Sequence, residues 1–179
     1  MIAAEATGAS RGGNVFLAIK RQSSKLNLMY VATVVLLLLV LPLGSVAIEA
    51  ARSASAVAYV TLLGKWFVFW AVGVRLFIAG VRQVLQPSFT AVEIFGIHEP
   101  KTLAIVRELG FANLSMGFLG LCSLWHPAWL VPAAIVGGLY YGFAGLAHVT
   151  QRRKNAKQYT AMITDLLAFT VLLTFVLYG

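Results

Sequence analysis

Polar and charged side chains inside apolar segments are the residues of this chain best placed to do chemistry. Arg75, Arg82, Glu108, Asn113 and Asp165 each fall within a stretch of about twenty mostly apolar residues, the length that crosses a bilayer. An arginine at the bilayer centre costs roughly 2.5–3.5 kcal/mol on insertion scales. Such residues are therefore candidates for binding a polar headgroup or for carrying a proton.

The spacing of these residues predicts which of them meet. Arg75 and Arg82 are seven residues apart, so they share one helix face at about 10 Å along the axis. Counting depth from the helix ends pairs Arg82 with Glu108, and Arg75 with either Asp165 or Asn113. Two explanations stay open: ion pairs that only lock the bundle, and a polar pocket for a ligand or a proton.

Tyr141 and His148, which belong to the fourth apolar segment, are expected in the same half of the membrane and complete this cluster. The predicted ligand-binding or polar cluster comprises Arg75, Arg82, Glu108, Asn113, Tyr141, His148 and Asp165. The arginines would donate to a ligand, the two carboxylates would balance them, and the amide would hydrogen-bond the ligand. The opposite half of the membrane is expected to be almost purely apolar.

Catalytic and metal chemistry finds little support in the sequence. The histidines His98, His126 and His148 are scattered, and Cys122 is the only cysteine, so neither a metal site nor an intrachain disulfide is expected. No nucleophile–base motif, phosphate loop or dinucleotide fingerprint is present. We expect no catalytic residue and no metal.

The elements that position these residues follow from the composition. Hydrophobic residues make up 60% and charged residues 11%, against about 45–50% and 25% in soluble domains. Lipid offers no backbone partners, so the apolar blocks are expected to be helices. The sequence predicts an all-α integral membrane helical bundle over 28–179, after a basic N-terminal tail at 1–27. Its five transmembrane helices are predicted at about 28–48, 66–85, 103–125, 128–149 and 159–178.

The basic residues predict the orientation in the membrane. The net charge of +8 comes from short segments between apolar blocks, where lysine and arginine orient the chain and meet anionic lipid rather than nucleic acid. One side carries the tail and the segments near 82–102 and 150–158, which are rich in these residues, whereas the other carries only Arg52 and Lys65. This bias predicts a cytoplasmic N-terminus and a periplasmic C-terminus in the bacterial inner membrane.

The first apolar segment has an alternative interpretation. Leu36–Leu43 followed by Gly44–Ala47 resembles the apolar region and cleavage site of a signal peptide. The long region before it and the full spanning length favour a retained helix. With either interpretation the second helix begins on the same side.

Glycines in the predicted spans indicate how the helices pack. Gly73 and Gly80 lie on the second span, and Gly117 and Gly120 on the third. Small residues let helix backbones approach closely in lipid. We expect these glycines to serve packing within the chain.

Three stretches resemble the DoxX-like group of small bacterial membrane proteins. They are Gly73–Arg82, Arg107–Gly120 and the segment beginning at Thr164 and Asp165, and Gly142–His148 is similar to the fourth helix of that group. The resemblance covers about two-thirds of the chain. It implies a four-helix DoxX-like core in the inner membrane, with an additional N-terminal helix. Some DoxX-type proteins are associated with thiosulfate:quinone oxidoreduction or with oxidative-stress complexes.

These observations favour a non-catalytic accessory protein or subunit whose polar pocket binds a small amphiphile, such as a quinone or a lipid. A small transporter or proton-coupled permease is one alternative, although no inverted repeat is visible. A membrane subunit of a quinone-linked redox enzyme is another. The expected partners are membrane lipids and a membrane protein complex, with no nucleic acid. The sequence leaves the oligomeric state open.

Overall fold

The computed structural model describes residues 28–29, 31–52, 59–150 and 156–179. The chain divides into two units, residues 1–33 and 34–179. In the first unit the described residues are helical, and the Thr33 hydroxyl donates to the carbonyl of Met29. The predicted basic tail at 1–27 lies outside the described residues.

Five helices long and apolar enough to cross a membrane make up the described chain. They are α1, Val31–Arg52; α2, Tyr59–Leu85; α3, Thr102–Cys122; α4, Leu130–Thr150; and α5, Ala156–Tyr178. A short helix, Phe89–Ile94, connects α2 to α3, and a 3₁₀ turn, Pro127–Trp129, precedes α4. No strand occurs in the described ranges. The prediction of an all-α bundle with five helices of membrane-spanning length is confirmed.

The second helix begins earlier than predicted. The sequence predicts its start at about Trp66, with Lys65 in the segment that precedes it. In the structure α2 begins at Tyr59, and Lys65 forms an ion pair with Glu49 of α1 at 2.8 Å. Since this pairing offsets the charge, the helix continues through Lys65 for nearly two more turns.

Glycines bring α2 and α3 into close contact, as predicted. A Cβ on Gly117 would lie 2.5 Å from the backbone nitrogen of Phe77. A Cβ on Gly120 would lie 2.6 Å from the nitrogen of Gly73, and one on Gly80 would lie 2.7 Å from the nitrogen of Leu114. Only glycine permits such an approach between backbones. These contacts fix how α2 and α3 are rotated toward each other.

A second close pair is formed by α4 and α5. Gly142 faces the ring of Phe169, and Gly145 faces the side chain of Leu166. Far fewer residues are in contact between α3 and α4 than within α2–α3 or α4–α5. The two tightly packed pairs are therefore α2–α3 and α4–α5. The second helix also contacts α4 through Val72 at Gly137, which places α2 at the junction of the two pairs.

Within the described ranges, three stretches have π-helical rather than α-helical hydrogen bonding. They are Leu36–Val40 in α1, Val68–Arg75 in α2 and the connecting helix Phe89–Ile94. Short π-helical segments within α-helices occur often at functional sites. The stretch in α2 ends at Arg75, so the candidate arginine lies where the helix returns to its ordinary winding.

Candidate polar ligand site at the centre of the bundle

An ion pair joins α2 to α5 near the middle of both helices. The Nη1 and Nη2 atoms of Arg75 each donate to Oδ1 of Asp165 at 3.0 Å. The two side chains are 16% and 7% exposed. The prediction that Arg75 faces the bundle interior is confirmed, and of its two predicted partners, Asp165 and Asn113, the structure shows the ion pair with Asp165. The antiparallel course of α2 and α5 brings the two residues to the same depth.

Two tyrosines of α4 lie beside this ion pair. The guanidinium carbon of Arg75 is 5.0 Å from the centre of the Tyr141 ring, a cation–π contact. The Tyr141 hydroxyl donates to the carbonyl of Ala71 inside the π-helical stretch of α2. The ring of Tyr140 meets that of Tyr141 edge to face, with centres 5.7 Å apart. Predicted site residue Tyr141 therefore belongs to this cluster, and its neighbour Tyr140 joins it.

A buried pair of amides completes the cluster on the side of α3. Asn113 is 1% exposed, and its Nδ2 donates to Oε1 of Gln83 at 2.7 Å. Its Oδ1 is buried without a hydrogen-bond partner in the part of the chain that the structure describes. The Tyr140 hydroxyl lies close to the Asn113 amide, and Arg75 and Asp165 are its charged neighbours. Asn113 was a predicted site residue, and the structure brings it together with the ion pair.

Gln83 was not among the predicted site residues, although the sequence carries a signal for it. Gln83 follows Gly80 by three residues, so the two share one face of α2. That face packs on α3, where a Cβ on Gly110 would lie 2.9 Å from Cβ of Gln83. A polar residue on a glycine-lined helix face has to meet a polar partner on the next helix. Reading the glycine pattern together with the polar residues would have found this pair.

His148 lies toward the end of α4, on the Asp165 side of this cluster. Its Nδ1 is buried and has no hydrogen-bond partner among the described residues. It is within electrostatic range of Asp165 on α5. Gly145 of α4 faces Leu166 of α5, so His148 is within one helical turn of the level of Asp165, although it is about 10 Å from the level of Tyr141.

The predicted pairing of Arg82 with Glu108 is wrong. The ion pairs between described side chains are Lys65–Glu49 and Arg75–Asp165, and both Arg82 and Glu108 are exposed. The two residues lie at the predicted depths, but their side chains point in other directions around the helix axes than predicted. Gly80 and Gln83 turn one face of α2 toward α3, and Arg82, about 100° from Gln83 and 200° from Gly80, points away.

Glu108 is turned away from α2 for the same reason. The buried face of α3 carries Val106, Gly110, Asn113 and Gly117. Glu108 is two residues, or about 200°, from both Val106 and Gly110. It therefore lies on the opposite side of α3, and the predicted cluster loses Arg82 and Glu108.

A second polar group at the opposite end of the bundle also escaped prediction. Glu49 of α1 accepts from the ammonium of Lys65 at 2.8 Å and from Nε1 of Trp66 at 2.7 Å. One turn deeper, Nε1 of Trp70 donates to Ser45 at 3.0 Å. The expectation of an almost purely apolar half is therefore wrong at its rim. These bonds join α1 to α2, and Ser45 belongs to the Gly44–Ala47 segment that resembles a signal-peptide cleavage site.

We call the set formed by Arg75, Asp165, Asn113, Gln83, Tyr140 and Tyr141 the polar centre. It combines cationic, anionic and amide groups within an otherwise apolar bundle, so it can donate to and accept from a polar headgroup. No group of three His, Cys, Asp or Glu side chains among the described residues is arranged to hold a metal ion.

The chain was compared with known proteins. Residues 29–179 match DUF6790, a family of unknown function, and this match covers all five helices. The chain belongs to this family. No curated protein and no solved structure matches it. Stretches such as Gly73–Arg82 resemble DoxX-like proteins. This resemblance stays a prediction, because none of these comparisons concerns that group.

Proposed function

We propose that this multi-pass membrane protein binds a small amphiphile, such as a quinone or a lipid, at the polar centre and acts as a non-catalytic accessory protein or subunit. The observation that supports the proposal is the buried Asn113 carbonyl oxygen without a partner. An unsatisfied polar atom in an apolar bundle costs several kcal/mol. A ligand hydroxyl that donates to this oxygen would remove the cost.

The surrounding side chains favour a flat head that both donates and accepts. The hydroxyl of a quinol would donate to Asn113 Oδ1, and a quinone carbonyl would accept from the Tyr140 hydroxyl. Tyr140 is partly exposed, and α3 and α4 contact each other little. The head would enter between these two helices while the apolar tail stays in the lipid.

A titration with a short-chain quinol tests the proposal, because only the reduced form carries the hydroxyl that donates to Asn113 Oδ1. Adding decylubiquinol to the purified protein under anaerobic conditions should change its tryptophan fluorescence in a saturable way. Asn113→Leu, which keeps a similar volume but removes the amide, should weaken the apparent affinity at least about tenfold, the factor that corresponds to about 1.4 kcal/mol for one lost hydrogen bond. The matched control is Ser115→Ala on the same helix.

Ser115 is suited to this control because it is exposed and its hydroxyl donates only to the carbonyl of Phe111, one turn earlier. Its alanine variant should bind like the unmodified protein. Equal affinities for Asn113→Leu and Ser115→Ala would refute the proposed site.

A proton-coupled permease is the second candidate function, and the Arg75–Asp165 ion pair favours it. Ionisable residues at mid-membrane often belong to proton pathways, and His148 lies toward the helix ends on the path from Asp165. Proteoliposomes loaded with a pH-sensitive dye distinguish the two functions. A permease acidifies the lumen under an imposed gradient and loses this activity in Asp165→Asn, whereas an amphiphile-binding protein shows no flux in either form.

We also propose that the protein lies in the bacterial inner membrane with its N-terminus in the cytoplasm. Among the described residues, Arg82, Lys101 and Arg107 support this orientation, and they lie at the end of the bundle where α2 ends and α3 begins. Short loops rich in these residues remain cytoplasmic during insertion. We call this the Arg82 end, and the opposite end the Glu49 end.

A further inference from the structure

Arg82 contacts an aromatic ring, and no acidic side chain among the described residues forms an ion pair with it. Its guanidinium carbon lies 3.4 Å from the centre of the Phe89 ring at the start of the connecting helix. The side chain is exposed, and neither ion pair among the described residues includes it. A guanidinium has five N–H donors in a planar fork. The contact with Phe89 uses its face and leaves the donors on its edge available.

Arg82 belongs to an apolar stripe that faces away from α3. Ile78, Arg82 and Leu85 are spaced by four and three residues, so they share one face of α2. Ile78 is 51% and Leu85 73% exposed, whereas Gly80 and Gln83 are buried against α3. In a chain with five helices of spanning length, this stripe faces acyl chains. A fixed cation therefore stands at the rim of a lipid-facing surface.

The depth of Arg82 matches a lipid headgroup. It is three residues from the end of α2 at Leu85, or about 4.5 Å along the axis. Ile78 lies about 6 Å deeper, at the level of acyl chains. Arg82 is also about 10 Å from Arg75 along the helix, so its surroundings are separate from the polar centre.

We propose that the Arg82–Phe89 pair and the Ile78–Leu85 stripe form a binding site for an anionic phospholipid. The guanidinium edge binds the phosphate in a bidentate manner, and one acyl chain lies along Ile78. An anionic headgroup is preferred because a zwitterionic lipid carries its own cation beside the phosphate. The net charge of +8 adds a long-range attraction to anionic lipid.

Native mass spectrometry of the full-length protein tests this site. The protein in detergent is given phosphatidylglycerol and phosphatidylcholine in equal amounts, and the lipid-bound species are counted. The unmodified protein should retain phosphatidylglycerol preferentially. Arg82→Gln should weaken its retention about fivefold, the factor that one basic residue near an anionic surface contributes. Phe89→Leu should reduce retention less, since the guanidinium remains but is no longer fixed.

The matched control is Arg52→Gln, which removes the same charge from an exposed residue at the Glu49 end. It should retain phosphatidylglycerol like the unmodified protein. Equal losses in Arg52→Gln and Arg82→Gln would show a general charge effect and overturn the site, as would full retention in Arg82→Gln. Because Arg82 is exposed, its variant should keep the melting temperature of the unmodified protein, and Asn113→Leu should leave phosphatidylglycerol binding unchanged.

Discussion

Replacing Arg75 by leucine should destabilise the protein strongly, because it leaves Asp165 buried without its partner. The Asp165 side chain is 7% exposed and receives both of the arginine donors at 3.0 Å. Removing one member of a buried ion pair costs about 3–5 kcal/mol. For a chain of this size that loss corresponds to a fall of about 6–20 °C in melting temperature. Thermal unfolding of the purified protein, followed by tryptophan fluorescence, measures it.

The same chain provides the control. Lys65 and Glu49 form an ion pair at a similar distance, but their side chains are 35% and 30% exposed. Lys65→Gln should therefore cost only about 0–1 kcal/mol. The double variant Arg75→Leu/Asp165→Leu should recover most of the stability lost by the single variant, since neither charge is then stranded. Equal effects of Arg75→Leu and Lys65→Gln, or no recovery in the double variant, would refute this explanation.

Two further predictions concern orientation and packing. Reporter fusions after Gln158 and after Gly179 should report cytoplasm and periplasm, respectively, and the reverse result at either position would contradict the proposed orientation. Gly117→Ala should destabilise the bundle by about 1–3 kcal/mol, because its Cβ would lie 2.5 Å from the nitrogen of Phe77. Gly44→Ala is the control, because nothing lies within 4 Å of the added atom. Similar melting temperatures for both variants would contradict the close packing of α2 against α3.

Depth along the membrane could be predicted from the sequence, because an α-helix rises by a constant 1.5 Å per residue. That count limited the predicted polar partner of Arg75 to Asp165 or Asn113. It also placed Asn113 at a similar level. The five spans followed from segment length and composition alone, since lipid requires every backbone group to be paired within the segment.

Rotation about each helix axis could not be predicted from depth. Arg82 and Glu108 lie at nearby levels, but the glycine contacts between α2 and α3 turn both side chains away from the interface of these two helices. The same contacts bring Gln83 rather than Arg82 toward α3, so the amide pair replaces the predicted ion pair. The start of α2 could not be predicted for a related reason. Lys65 can lie within the helix because it pairs with Glu49, a residue of another helix.

Mass spectrometry of lipids extracted from the purified protein tests the central claim most directly. The unmodified protein and Ser115→Ala should release a quinone or another amphiphile in near-stoichiometric amount. Asn113→Leu, purified in the same way, should release much less of it. Equal amounts from Asn113→Leu and Ser115→Ala, or no enriched amphiphile in the unmodified protein, would contradict a ligand site at the polar centre.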